Sequence, residues 1–307
     1  MNKKLLVAYA LAAVLVVYVV HVYRSKNNTA PTATEAVVEG ASVTTTPEVP
    51  VNKEAEATRA HNEELVKKYT EQIAAGKDTD AEGYYQRGLA YMNLEQYRAA
   101  IQDFDSSLRI APESAEALYA RALAYQSEKQ LDNALTDLNA AIKLKADFAA
   151  AYNTRAVIYD EQNKTDEAIN DYKNAIAINP NLDQAYYNLG ILYEKQKQYT
   201  EAEAEYTNAI SNNKAAANAT AAEIAAAKKR LEQAYVHRSS VYLATNDLSA
   251  ALKDVNYVIE HDAKNEAAYR LRSEIYNKMG NTADSLADKA TADNLSMQNL
   301  LEQRKAN

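Results

Sequence analysis

A tyrosine recurs at Tyr91, Tyr125, Tyr159 and Tyr193, 34 residues apart each time, and returns at Tyr242 and Tyr276 after one interval of 49. A single closed core imposes no such period; one supersecondary unit repeated along the chain does. Counting Ala81 as position 1, units begin at Ala81, Ala115, Ala149, Asp183, Glu232 and Glu266, and the tyrosine is always position 11. Position 8 is small throughout: Gly88, Ala122, Ala156, Gly190, Ser239 and Ser273. Position 20 is Ala100, Ala134, Ala168, Ala202, Ala251 and finally Ser285. Positions 4, 8 and 11 share one face of a helix and are expected to form its core stripe. A turn near positions 15 and 16 folds each unit into an antiparallel helix pair, and such pairs bury their apolar faces only by stacking.

The stretch Ala81–Pro112 shows the unit most clearly, with Tyr84 at position 4, Gly88 at 8, Tyr91 at 11, Ala100 at 20, Phe104 at 24 and Pro112 at 32. It resembles the tetratricopeptide repeat (TPR). The resemblance implies an all-α fold, a right-handed α-solenoid of about six helix hairpins with capping helices at both ends. It also implies that the first helices of successive units line a concave groove for a segment of another protein, at positions 2, 5, 6, 9, 12 and 13. On this sequence those positions give Tyr85, Gln86, Leu89 and Asn93, then Tyr119, Leu123 and Gln126, then Asn153, Val157 and Asp160, then Tyr187, Asn188 and Ile191. Tyrosines and aliphatics interleaved with amides suit a peptide held by hydrogen bonds and apolar pockets. The family's clamp for a terminal carboxylate is contradicted, because its positions hold Tyr85, Leu89, Ala120, Ala150 and Thr154.

Units are expected at 81–114, 115–148, 149–182, 183–216, 232–265 and 266–299, with an Ala-rich insertion at 217–231. Thr220 and Glu223 have capping-box spacing, so the first helix of the fifth unit is expected to run from Ala221 to Ala244, its early turns projecting from the stack. At the other end Lys289 replaces the aromatic of position 24, and the final helix runs on through Leu295, Met297, Leu300 and Leu301, resembling the polar helix that closes many TPR arrays.

Arg87, Arg121, Arg155, Arg238 and Arg272 stand at position 7 and Asp103, Asp137, Asp171, Asp254 and Asp288 at position 23, level with each other across a hairpin. This reads as a structural ladder of surface pairs rather than a phosphate site. The fourth unit departs, with Leu189 and Glu205. With no cysteine, His21, His61, His237 and His261 scattered, and six glycines that never form a phosphate loop, the sequence points to no enzyme, no metal and no cofactor. A net charge of -8 with acids and bases interleaved excludes a nucleic-acid footprint.

Residues 1–26 differ in kind. Leu5 to Tyr23 carries no Asp, Glu, Lys or Arg and would span roughly 28 Å as a helix, which reads as an uncleaved transmembrane anchor with N-in, C-out orientation. Residues 27–52, rich in Thr and Pro without aromatics, read as a disordered linker, and 53–80 as a charged capping helix. The resulting expectation is a single-pass protein of a bacterial inner membrane, its array outside the cytoplasm, that recruits protein partners in the TPR groove. A cytosol-facing receptor or co-chaperone, and a self-associating scaffold without a peptide ligand, are the alternatives.

Overall fold

The structure is a computed structural model and describes residues 53–76, 80–214 and 219–306. Among the described residues there are thirteen helices and no strand. They fall into two compact units, divided between Ala146 and Asp147. The first unit contains α1 (Lys53–Gly76), α2 (Ala81–Asn93), α3 (Tyr97–Ile110), α4 (Ala115–Ser127) and α5 (Leu131–Leu144). The second contains α6 (Ala149–Glu161), α7 (Thr165–Ile178), α8 (Asp183–Lys195), α9 (Tyr199–Asn212), α10 (Ala221–Ala244), α11 (Leu248–His261), α12 (Glu266–Lys278) and α13 (Thr282–Ala306).

The six hairpins turn in the same way. Glu95, Lys129, Asn163, Lys197, Asn246 and Gly280, all at position 15, have φ between 57° and 80°. The next residue's amide reaches back to the carbonyl of the position-11 tyrosine, as Gln96 does to Tyr91 at 2.9 Å and Asn281 to Tyr276 at 2.8 Å. The position-15 amide bonds one residue further along, as Glu95 N does to Met92 O at 3.0 Å, completing a Schellman motif.

Small residues at position 8 let the two helices meet. A Cβ on Gly88 would lie 2.6 Å from the Phe104 ring, and one on Gly190 would lie 2.7 Å from the Tyr206 ring. Ser239 and Ser273 fill the same place, and their hydroxyls donate to the position-20 carbonyls of Ala251 and Ser285 at 2.8 and 2.7 Å. Ala100, Ala134, Ala168, Ala202 and Ala251 are fully buried at that level.

Of the tyrosines of position 11 only Tyr193 is buried in the core, as expected of the stripe. Tyr91, Tyr125, Tyr159, Tyr242 and Tyr276 are half-buried. With the tyrosines of position 4 they flank the guanidinium of position 7: Arg155 lies 5.4 Å from the Tyr152 ring and 5.8 Å from Tyr159. In the first unit positions 5 and 9 also take the interior, with Tyr85, Leu89, Tyr119 and Leu123 buried and Tyr119 and Leu123 among the most buried large side chains.

Two expectations about the chain ends are corrected. No helix among the described residues is long and apolar enough to cross a membrane, so the placement as a single-pass membrane protein is withdrawn. The long helices α1, α10 and α13 have length without apolarity, since charges recur along each. Leu5 to Tyr23 and the linker at 27–52 lie outside the described residues. As expected, α10 runs from Ala221 to Ala244 behind the Thr220–Glu223 capping box, with its first turns largely exposed. From Ala227 it is strapped to the start of α8, where Asp183 accepts from Asn213 at 2.7 Å and Arg230 at 3.1 Å, and Asn213 donates to the Ala227 carbonyl at 3.0 Å. The closing helix α13 is less polar than expected, with Leu286, Met297, Leu300 and Leu301 all more than half exposed.

Candidate peptide-binding surface

The thirteen residues assigned to a groove divide sharply between the two units. In the first, Tyr85, Leu89, Tyr119, Leu123 and Gln126 are buried. Tyr119 is 1% exposed, which corrects the expectation that its ring faces an open surface. Tyr85 packs on Phe104 with ring centroids 6.0 Å apart, and burial, with the nearby charges of Glu116 and Glu82, holds its hydroxyl far above the ordinary tyrosine range. Gln86 donates to Glu82 at 2.8 Å, and Asn93 donates to Asn62 of α1 at 3.0 Å. The capping helix therefore occupies the polar end of this surface, and little is left open.

The second unit is different. Asn153 is buried, whereas Val157, Asp160, Tyr187, Asn188 and Ile191 are half-buried. Val157, Tyr187 and Ile191 rest on the core cluster built from Tyr172, Leu189, Leu192 and Tyr206. Asp160 is held by Lys195 of α8 at 3.1 Å. The buried acceptors Asn153 Oδ1 and Gln184 Oε1 have no hydrogen-bond partner among the described residues.

At the centre lie two residues absent from the expected set. Glu194 Oε2 accepts from the Tyr206 hydroxyl at 2.6 Å and meets His237 Nδ1 at 2.9 Å. The His237 ring stacks on Tyr206 at 5.5 Å and takes Tyr187 edge-on at 5.7 Å. Burial pushes the Glu194 carboxyl up, but the hydrogen bonds from His237, Tyr206 and Ser240 outweigh it and hold the group below its usual range. Burial and the Glu194 charge push the Tyr187 hydroxyl up to about 12. Glu194 is position 12 of its repeat and His237 position 6 of the next, so the repeat register carried into the fifth unit contained the signal.

The position-7 ladder sits on the other side of the same helices. Each guanidinium closes two bonds on its own repeat's carboxylate: Arg87 on Asp103 at 2.7 and 2.7 Å, Arg121 on Asp137 at 2.7 and 2.7 Å, and Arg272 on Asp288 at 2.7 and 2.8 Å. The carboxylates are buried, so these are not the exposed surface pairs expected from sequence. A third arm reaches the preceding element, as Arg121 does to Asp105 at 2.7 Å and Arg238 to Thr207 at 3.0 Å. The ladder therefore fastens the five hairpins that carry it, and within each unit Arg121 and Arg238 also tie theirs to the preceding helix.

Helix hairpins with this turn, this small-residue contact and this stacking define a TPR-type protein-interaction scaffold. Tetratricopeptide repeat models match residues 81–114, 115–148 and 183–216, and a further TPR repeat model matches 156–197, so the chain carries TPR repeats. No curated protein matches it in sequence. Similar solved structures include PilF of Pseudomonas aeruginosa, with TM-score 0.57 and 18% identity over 73% of this chain and 91% of that one. PilW, a type IV pilus biogenesis factor, gives 0.54 and 21% over 68% and 90%. YrrB, a TPR protein with an unusual peptide-binding site, gives 0.50 and 14% over 65% and 95%. At these identities the likeness is one of fold.

Proposed function

We propose that this chain is a protein-interaction adaptor whose second unit holds an extended segment of a partner protein across α6, α8 and α10. The observation that carries the reading is the half-open cluster of Tyr187, Asn188, Ile191, Glu194 and His237, which offers apolar contact beside hydrogen-bonding groups on one surface. Asn153 Oδ1 and Gln184 Oε1 add acceptors whose capacity is unused among the described residues, a state that buried polar groups rarely keep without a role. An extended peptide presents backbone N–H groups to such acceptors and side chains to Tyr187 and Ile191.

A photo-crosslinking residue at Asn188 tests this, with the captured segment read by mass spectrometry. With the crosslinker kept at that position, Tyr187→Ala combined with Ile191→Ala is expected to reduce capture of that segment at least tenfold while helicity is retained. Undiminished capture would move the binding surface off this cluster.

A further inference from the structure

The ladder is broken in the fourth repeat, where both tyrosines and a carboxylate remain without the cation; the carboxylate is Glu205 in place of an aspartate, and Tyr193 is 8% exposed. In the second unit the other three rungs share one arrangement. The guanidinium lies 5.4 Å from a position-4 tyrosine and 5.8 Å from a position-11 tyrosine, as with Arg238 between Tyr235 and Tyr242 and Arg272 between Tyr269 and Tyr276. It closes two bonds on a position-23 carboxylate, as Arg238 does on Asp254 at 2.7 and 2.9 Å. The fourth repeat retains Tyr186, Tyr193 and a carboxylate, Glu205, but Leu189 stands where the arginine would be. Leu189 is 1% exposed, so it supplies the apolar stem of that position and none of its charge.

We propose that Tyr186, Tyr193 and Glu205 form a guanidinium-binding notch that receives an arginine side chain of a partner protein. The chemistry of the occupant is set by the sibling rungs, which hold that group between the same kinds of side chain. Among the described residues no ion pair closes on Glu205, which accepts a long bond from Asn208 at 3.4 Å. Burial raises its carboxyl above the ordinary range, with Asn208 and Lys173 only partly opposing. The notch already attracts a cation from outside its own repeat, because the Lys173 ammonium lies 5.8 Å over the Tyr193 ring. That ammonium forms no salt bridge to Glu205, whereas a planar guanidinium can bond both carboxylate oxygens while lying against a ring. Positions 4, 7 and 11 face away from positions 5, 6 and 9 on the same helix, so this site does not rest on the groove reading.

The test uses the full chain labelled with 3-fluorotyrosine, with the fluorine resonances of Tyr186 and Tyr193 assigned through Tyr186→Phe and Tyr193→Phe. Titration with N-acetyl-arginine amide is expected to move both resonances saturably, with affinity on the order of millimolar for so small a probe. N-acetyl-lysine amide should bind at least tenfold more weakly. Leu189→Arg, with retained helicity and melting temperature checked by circular dichroism, should abolish the response, and Glu205→Gln should weaken it at least tenfold. Lys173→Met should leave it intact or strengthen it. A wild-type and Lys173→Met protein that both fail to respond, equal responses to the two amides, or an unchanged response in Leu189→Arg would each overturn the proposal.

Discussion

Arg155 grips Asp171 with two bonds of 2.6 and 2.8 Å, and the aspartate is only 2% exposed. Removing the arginine leaves a carboxylate in a place from which water is largely excluded. Loss of one partner of a buried pair costs about 3–5 kcal/mol, and the partial exposure of the guanidinium places Arg155→Leu near the lower end. Urea denaturation followed by circular dichroism should show this loss. The double variant Arg155→Leu, Asp171→Leu should recover a substantial part of it, because no charge is then stranded.

The left-handed turns give a change of opposite sign. Lys129 has φ of 60°, which a residue with a Cβ adopts at a cost of about 1 kcal/mol. Lys129→Gly relieves that strain at the expense of a more flexible unfolded chain, so a net gain of a few tenths of a kcal/mol is expected. Gly280→Ala, at φ 80°, should lower the melting temperature by a comparable or larger margin.

Gly190→Ala probes the closest approach of α8 and α9. Its new Cβ would fall 2.7 Å from the Tyr206 ring, and the ring is fully buried and tied to Glu194. Overpacking of this kind costs about 1–3 kcal/mol. Gly76, with nothing within 4 Å of the added atom, is the control, and Gly76→Ala should leave stability almost unchanged.

Two carboxylates should respond to pH in opposite directions. The folded structure holds Glu194 below its ordinary value of 4.5, so it contributes stability that is present above that value and fades as pH falls through the depressed one. Glu205 is raised, so its ionisation works against folding, and the penalty grows as pH rises above 4.5. At pH 7, Glu194→Gln should destabilise by about 1.5–3 kcal/mol, the scale of hydrogen bonds to a charged group. Glu205→Gln should raise the melting temperature at pH 7. The Glu205 effect should shrink toward zero in melts at pH 3, and the Glu194 effect should be smaller there than at pH 7.

Much of the fold was legible because its determinants lie close together in sequence. The small residues of position 8, the alanines of position 20 and the Arg–Asp pairs recur within single repeats, so periodicity alone aligned them. Side-chain direction was harder. Position 11 looked like core because it was always tyrosine, yet Tyr159 and Tyr276 are kept as flanks for a guanidinium, a role that needs a ring with one face turned outward. Tyr119 looked like an exposed anchor because it lies off the assumed stripe, and its burial shows that the stripe was drawn one position away from the interior. The Glu194–His237 contact joins residues 43 apart across the irregular interval; both stand at groove positions, 12 and 6, but the set drawn from sequence stopped at Ile191, short of Glu194 and of the fifth unit.

The paired arginines and aspartates also bear on the order in which the chain can fold. Each such pair spans 16 residues, and the turn between them is closed by its own backbone bonds. The loop that must be closed to make the first tertiary contact is therefore equally short in five of the hairpins, and loop-closure entropy favours none of them. No one hairpin has to lead. Folding can start wherever thermal motion first brings an arginine onto its aspartate, and neighbouring hairpins then add onto that seed.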